Sequence, residues 1–219
     1  KVMLGAKLET NQTDVDTVLK ALSIDRADAI FISHSHYDHA FDAPSFAKKT
    51  GAKLMGSEST LNIGRGGGLP ETTMQKYKAK DQIKIGAFKV TIIEAVHAPI
   101  IFNYQMFAGD ITKPLAQPAS AGDYRMGGSF NFYIEHPEGN FLIHPAANFP
   151  DKKDLYSGMS AKVVFQGIAS RKSNENIYET LLGPVGAKTV IPLHFDNFFA
   201  PIKLNTHDNM APHVCGFFP

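Results

Sequence analysis

The chain has 219 residues, 43% of them hydrophobic, and its 22 basic residues almost balance its 21 acidic residues. This length suffices for one large domain with a substantial core, and we expect a single domain over residues 1–219. The balanced charge gives no electrostatic reason to expect nucleic acid or an anionic membrane as a partner. No apolar run reaches the roughly 18 residues that a membrane helix needs. The single cysteine, Cys215, excludes an intramolecular disulfide.

The first fifty residues predict a helix, a strand and a second helix. Apolar residues recur at helical spacing between positions 15 and 22, and Thr13 or Asp14 could cap this helix. Residues 29–33 form a short apolar and β-branched run that is typical of a buried strand. Residues 44–50 predict a short helix that is started by a proline.

The run His34-Ser35-His36-Tyr37-Asp38-His39 follows this strand directly and contains four candidate metal ligands. Residues two apart on an extended chain share a face, so His34 and His36 can approach one ion from the strand end. After the backbone turns, Asp38 and His39 offer an oxygen and a nitrogen to a neighbouring position. Imidazole and carboxylate ligands suit zinc, iron or manganese.

Two later strands also end at a histidine. Residues 90–96 are strand-like and lead into His97, and residues 188–193 lead into His194, although Pro192 suggests an irregular strand end. In layered α/β proteins the loops that leave one sheet edge converge and carry the catalytic groups. We therefore expect His97 and His194 to join the cluster at residues 34–39.

The segments between these strands are predicted as loops and one helix. The glycine-rich residues 64–70 predict a flexible surface loop. Residues 113–128 form a second irregular stretch, which could wall the site. Residues 174–182 have helical spacing and end at a Gly-Pro pair. The alternation of strands and helices fits an α/β class.

The motif of residues 34–39, followed by single histidines after later strands, resembles the metallo-β-lactamase superfamily of metal-dependent hydrolases. The resemblance covers the chain from about residue 13 onward. It implies that one metal is held by His34, His36 and His97. It implies that a second metal is held by Asp38, His39 and His194.

Two further segments indicate a branch of this superfamily. Residues 190–198 and 124–128 look more like lactonases and phospholipase-D-type phosphodiesterases. An oxygen-reducing di-iron relative fits less well, because that branch carries Glu where this chain has His36.

One position departs from the family pattern. Members usually carry an Asp that bridges both metals, and the best register puts Ala146 there, with Ala147 one position off. Alanine cannot bind a metal. His144 could be imagined as a replacement ligand, but we expect it to lie within the strand at residues 140–144. We therefore expect one tight zinc site and a second site that is weak or absent, with manganese or iron as other possible metals.

The resemblance implies a four-layer αββα sandwich. Several strands usually precede the motif in this family, whereas here about thirty mostly helical residues do, so we expect some N-terminal strands to be missing. An exposed sheet edge would then be open to a second chain, and an oligomer is possible. The sequence does not assign a compartment, which could be the cytoplasm or the exterior after export and processing.

The implied activity is hydrolysis of a small ester, lactone or phosphodiester by a metal-activated water, whose pKa falls toward roughly 7. Asp38 would orient that water or accept its proton, and His194 would bind the weaker metal or stabilise the oxyanion. Arg125, with Tyr124 beside it, is the best candidate for binding a substrate anion, and Arg65 is weaker. The alternative is a relative that has lost catalysis and acts as a binding or scaffold protein, which the missing Asp would favour.

Overall fold

The computed structural model describes residues 5–97, 105–145, 155–168 and 176–194. In chain order, the helices and strands of these residues are β1 (Lys7–Leu8), α1 (Gln12–Ala21), β2 (Ala29–Phe31), α2 (Tyr37–Ala40), α3 (Ala43–Thr50), β3 (Lys53–Gly56), α4 (Glu58–Gly66), β4 (Met74–Lys76), β5 (Gln82–Ile85), β6 (Phe88–Glu94), β7 (Ala119–Ser120), β8 (Phe130–Glu135), β9 (Phe141–His144), β10 (Val163–Gly167) and β11 (Thr189–Leu193). No helix among them is long and apolar enough to cross a membrane.

The chain divides into two compact units. Among the described residues, the first unit contains those up to 78 and 107–128. The second contains 79–97, 105–106 and the described residues from 129 to 194. A single domain over the whole chain stays a prediction.

The first unit contains a three-stranded parallel sheet in the order β2-β3-β4. Among the described strands β2 pairs only with β3, so β2 is an edge strand of this sheet. Helix α3 begins with Pro44 in its first turn and ends before Gly51, whose φ of +72° is a conformation that glycine adopts freely. The predicted helix at residues 44–50 is thereby confirmed.

Helix α1 is also confirmed, but its predicted cap was wrong. The helix begins at Gln12, and the side chain of Asn11 accepts a hydrogen bond of 3.0 Å from the backbone N–H of Thr13. Asn11 has an extended backbone, which aims its side chain at the orphan N–H groups of the first turn. Thr13 and Asp14 are therefore already inside the helix.

The predicted surface loop at residues 64–70 was also wrong in its first half. Helix α4 extends to Gly66, with Ser57 as its N-cap. Gly64 is buried, and a side chain there would collide with the sulfur of Met74 in β4. The glycine is thus a packing contact between helix and sheet, where its small size outweighs its low helix propensity.

The second unit contains a six-stranded sheet in the order β11-β10-β9-β8-β6-β5. The pairs from β5 to β9 are antiparallel, and β9, β10 and β11 are parallel. A turn of π-helix at Tyr178–Leu182 lies within the predicted helix of residues 174–182, of which 176–182 are described. Leu181 of this turn is fully buried in the core beside Leu142 and Val164.

All three strands predicted in this unit are confirmed, with ends shifted by one or two residues. Pro192 lies inside β11, opposite Gln166 of β10. Since β11 has one strand neighbour among the described residues, the missing N–H of a proline is tolerated there.

Candidate metal centre

The motif residues occupy the turn between β2 and α3. His34 and His36 are 2% and 3% exposed, although both side chains are polar. His36 has an extended backbone and is the N-cap of α2, so the chain changes from strand-like to helical at this residue. Asp38 and His39 lie inside that short helix. The sequence prediction of a strand end followed by a turn is confirmed.

Within the first unit these side chains lie close together. The ring centres of His34 and His36 are 4.8 Å apart, and those of His34 and His39 are 3.9 Å apart. The Asp38 carboxylate lies 3.3 Å from Nε2 of His39. The loop therefore gathers three imidazoles and one carboxylate, which are ligand types that transition metals prefer.

Ser33 contacts the first histidine of the motif. Its hydroxyl lies 3.1 Å from Nδ1 of His34. If Nδ1 carries the proton and donates it to the hydroxyl, the lone pair of His34 is at Nε2. A neighbouring hydrogen bond commonly selects the ligating nitrogen of a histidine in this way.

Two tyrosines lie at this segment, one contacting its start and one within it. The buried Tyr77 hydroxyl donates a hydrogen bond to the backbone carbonyl of Ile32, just before the motif. Burial raises the pKa of Tyr77, so its hydroxyl keeps its proton. Tyr37 follows His36, and burial together with the nearby Asp38 charge raises the pKa of Tyr37 to about 12.

The second unit carries the other two candidate ligands at strand ends. His97 follows β6 by three residues, and His194 follows β11 directly; both are half-buried. The backbone of His194 has a φ of +59°, a left-handed conformation that costs energy for residues other than glycine. Such strain concentrates at functional sites, because the surrounding structure must maintain it.

Comparison with known proteins identifies the family. The model of the metallo-β-lactamase superfamily matches residues 12–158, which is more than half of the chain. The chain belongs to the metallo-β-lactamase superfamily. The matched residues include five of the six candidate ligands, and the family resemblance predicted from the motif is confirmed.

Individual members of this superfamily are similar to the chain in sequence or in structure. A UPF0173 metal-dependent hydrolase of Myxococcus xanthus is 28% identical over 84% of the chain, which spans 60% of that protein's length. A metallo-β-lactamase fold protein of Bacillus subtilis has a TM-score of 0.53 at 14% identity, covering 89% of this chain and 73% of that one. A metallo hydrolase of Ignicoccus hospitalis has a TM-score of 0.51 at 17% identity, covering 84% and 70%. The structural likeness establishes the metallo-β-lactamase fold.

The two residues predicted to bind substrate differ in exposure. Tyr124 is fully buried in the core of the first unit, where its ring packs 5.7 Å from that of Phe41. Its hydroxyl accepts a hydrogen bond of 3.4 Å from Gln117, and burial raises its pKa to about 12. Burial leaves Tyr124 no surface for a substrate, so we correct its role to packing. Arg125, next in the chain, is exposed.

Arg65 is held by two carboxylates. It binds Glu71 through two hydrogen bonds of 2.6 and 3.1 Å and Glu58 through one of 2.6 Å. These contacts occupy the guanidinium and link α4 to the segment before β4. The weaker expectation for Arg65 as an anion-binding residue thus gives way to a structural role.

The family's bridging position, Ala146, lies outside the described residues. His144 is the last residue of β9 and is fully buried, as expected for a residue within the strand. Burial lowers the pKa of His144 to about 4, while a hydrogen bond with Gln166 opposes this shift. His144 is therefore neutral at pH 7.

Several residues that hold the motif loop in place could not be predicted from the sequence. The serine of His34-Ser35-His36 reads as a spacer, yet Ser35 is fully buried and hydrogen-bonded to the α4 residue Thr60. Thr60 lies 25 residues away and has no motif around it. The one local signal is Ser57, since serine ahead of a helix is a common N-cap.

Proposed function

We propose that the protein is a metal-dependent hydrolase that activates water against a small ester, lactone or phosphodiester. The observation that carries the proposal is the buried His34–His36 pair beside Asp38 and His39, in a member of the metallo-β-lactamase superfamily. Three imidazoles and a carboxylate gathered on one loop are the donor types that transition metals prefer, so the loop is suited to bind a metal ion. The name of the Myxococcus xanthus relative, a metal-dependent hydrolase, supports the proposal.

The proposed ligands form two groups. We propose His34, His36 and His97 as the ligands of one ion, and Asp38, His39 and His194 as the ligands of a second, which is what membership of the superfamily implies. The nitrogen and oxygen donors fit zinc, while manganese and iron accept the same set. The first group consists of three imidazoles, and we propose it as the tighter site. An ion held there would polarise the substrate bond under attack and acidify water.

The other catalytic roles would be divided among Asp38, His194 and Arg125. The Asp38 side chain is 16% exposed, so its carboxylate is partly open to solvent and can contact a water molecule. It orients that water and accepts its proton. His194 would hold the weaker ion or stabilise the developing oxyanion. The exposed Arg125 pairs with a phosphate or carboxylate of the substrate.

Metal analysis and a substrate panel test this proposal. Purified protein is analysed by mass spectrometry for bound metals and assayed on lactones, carboxylic esters and phosphodiesters, before and after chelation. We expect zinc bound in the unmodified protein and activity that chelation removes and zinc restores. His36→Ala should lose the metal and the activity together. Asp38→Asn should reduce kcat by roughly a hundredfold or more, which is the usual contribution of a general base.

Arg125 has a separate readout. Arg125→Ala should raise KM for an anionic phosphodiester and leave KM for a neutral lactone unchanged. A protein that binds zinc yet hydrolyses nothing on the panel would instead indicate a binding or scaffold role.

A further inference from the structure

Ser35, between the two buried histidines of the motif, is anchored through its backbone and its side chain. Its N–H donates a hydrogen bond of 2.8 Å to the carbonyl of Met126. Its hydroxyl lies 2.8 Å from the hydroxyl of Thr60 and 3.3 Å from that of Ser57. All of these hydroxyls are buried, so water does not compete for the hydrogen bonds.

Thr60 is itself fixed. It lies in the first turn of α4, where its N–H donates a hydrogen bond of 3.4 Å to the N-cap Ser57. Its side chain packs directly on Gly56 at the end of β3, so closely that a side chain on Gly56 would overlap it. Thr60 is fully buried. The hydroxyl that Ser35 meets therefore belongs to a rigid junction between a strand and a helix.

The position of Ser35 makes this anchor important. Neighbouring side chains of an extended segment point to opposite sides, so the direction in which Ser35 is held sets the directions of His34 and His36. We propose that Thr60 is a positioning residue, whose hydroxyl holds Ser35 and thereby aims His34 and His36 at the metal. This inference rests on the proposed metal site.

The purely structural reading is that the hydroxyls only join α4 to the motif loop. Both readings predict a loss of stability when the Thr60 hydroxyl is removed. Only the positioning role predicts a loss of metal affinity beyond that of an equally buried hydroxyl elsewhere. Outer residues that orient metal ligands typically contribute 10–100-fold to affinity.

Thr50 provides the matched control. It is 6% exposed, and its hydroxyl donates a hydrogen bond of 2.7 Å to the carbonyl of Phe46 at the end of α3. Thr50→Val and Thr60→Val each replace a buried threonine hydroxyl by a methyl group, with little change of side-chain shape. Thr60→Ser keeps the hydroxyl and removes the methyl group. Ser35→Ala removes the same hydrogen bond from the other side, should Thr60→Val fail to fold.

Zinc affinity is measured by competition with a chromophoric chelator, and the metal-free variants are unfolded in urea. We expect Thr60→Val and Ser35→Ala to weaken zinc binding by roughly tenfold or more. Thr60→Ser should restore the affinity to within about threefold. Thr50→Val should leave it within about twofold, since the Thr50 hydroxyl donates its hydrogen bond to the Phe46 carbonyl and not to a motif residue. The cobalt absorption spectrum should change in Thr60→Val and match the parent in Thr50→Val.

Two results would overturn the inference. If Thr60→Val binds zinc as tightly as Thr50→Val does, the hydroxyl serves stability alone, and the proposed hydrolase remains intact. If the unmodified protein binds no zinc, the proposed metal site fails, and the inference fails with it.

Discussion

The buried His144 should make the folded protein less stable in acid. Its pKa is lowered from 6.5 to about 4 in the folded protein because burial penalises the imidazolium. The unfolded chain therefore binds a proton on this residue in the window between these two values, where the folded protein does not. Linkage then requires the free energy of unfolding to fall as the pH drops from about 6.5 toward 4.

The magnitude follows from the shift. A pKa difference of 6.5 against about 4, at 1.36 kcal/mol per unit, corresponds to about 3 kcal/mol in full. Between pH 7 and pH 4.5 the share that is lost is about 2–3 kcal/mol. This is a large part of the roughly 5–15 kcal/mol by which domains are stable.

The assay is urea unfolding at pH 7 and pH 4.5 with chelator present throughout. Circular dichroism is the suitable signal, since the chain contains no tryptophan. His144→Gln keeps a hydrogen-bonding group but cannot be charged, so it should lose about 2–3 kcal/mol less than the parent over this range. Leu142→Val, at another fully buried position of β9, should lose as much as the parent. Equal pH dependence in the parent and His144→Gln would refute the reasoning.

Three further predictions concern single positions. Gly127→Ala should lower the free energy of unfolding by about 1–3 kcal/mol in urea titrations, because its φ is +66° and a side chain would overlap Ser59. Arg65→Lys should lower the free energy of unfolding only slightly, since lysine cannot form the two-fold contact with the exposed Glu71, and should leave KM unchanged. Ala146→Asp should raise the zinc stoichiometry from about one toward two in calorimetric titrations, because it supplies the carboxylate that bridges both metals in the family. Two equally tight sites in the unmodified protein would contradict this last prediction.

The sequence was most informative where a short-range signal decides the structure. The apolar run at residues 29–33 predicted β2, and the polar run after it could only be a turn. Predictions from the sequence were wrong where packing overrode the usual preference of a residue for a type of secondary structure or for the surface. Gly64 was interpreted as part of a loop, yet it lies in α4 because the contact with Met74 leaves no room for a side chain. Tyr124 was assigned to a substrate site from its place in an irregular segment, and its burial is a tertiary property that this segment does not encode.

The candidate metal loop shows the same contrast between local sequence signals and long-range contacts. Its donors lie within six residues, so the spacing of the motif was enough to predict their chemistry. Its supports come from far along the chain: Ser35 is held by Thr60, 25 residues away, and by Met126 in another segment. A polar residue that acts through such long-range contacts leaves no periodicity or motif in the sequence. The types of ligand can therefore be predicted from the sequence, whereas their orientation depends on the assembled fold. Ser35 illustrates both, since it lies within the motif but is held by residues far along the chain.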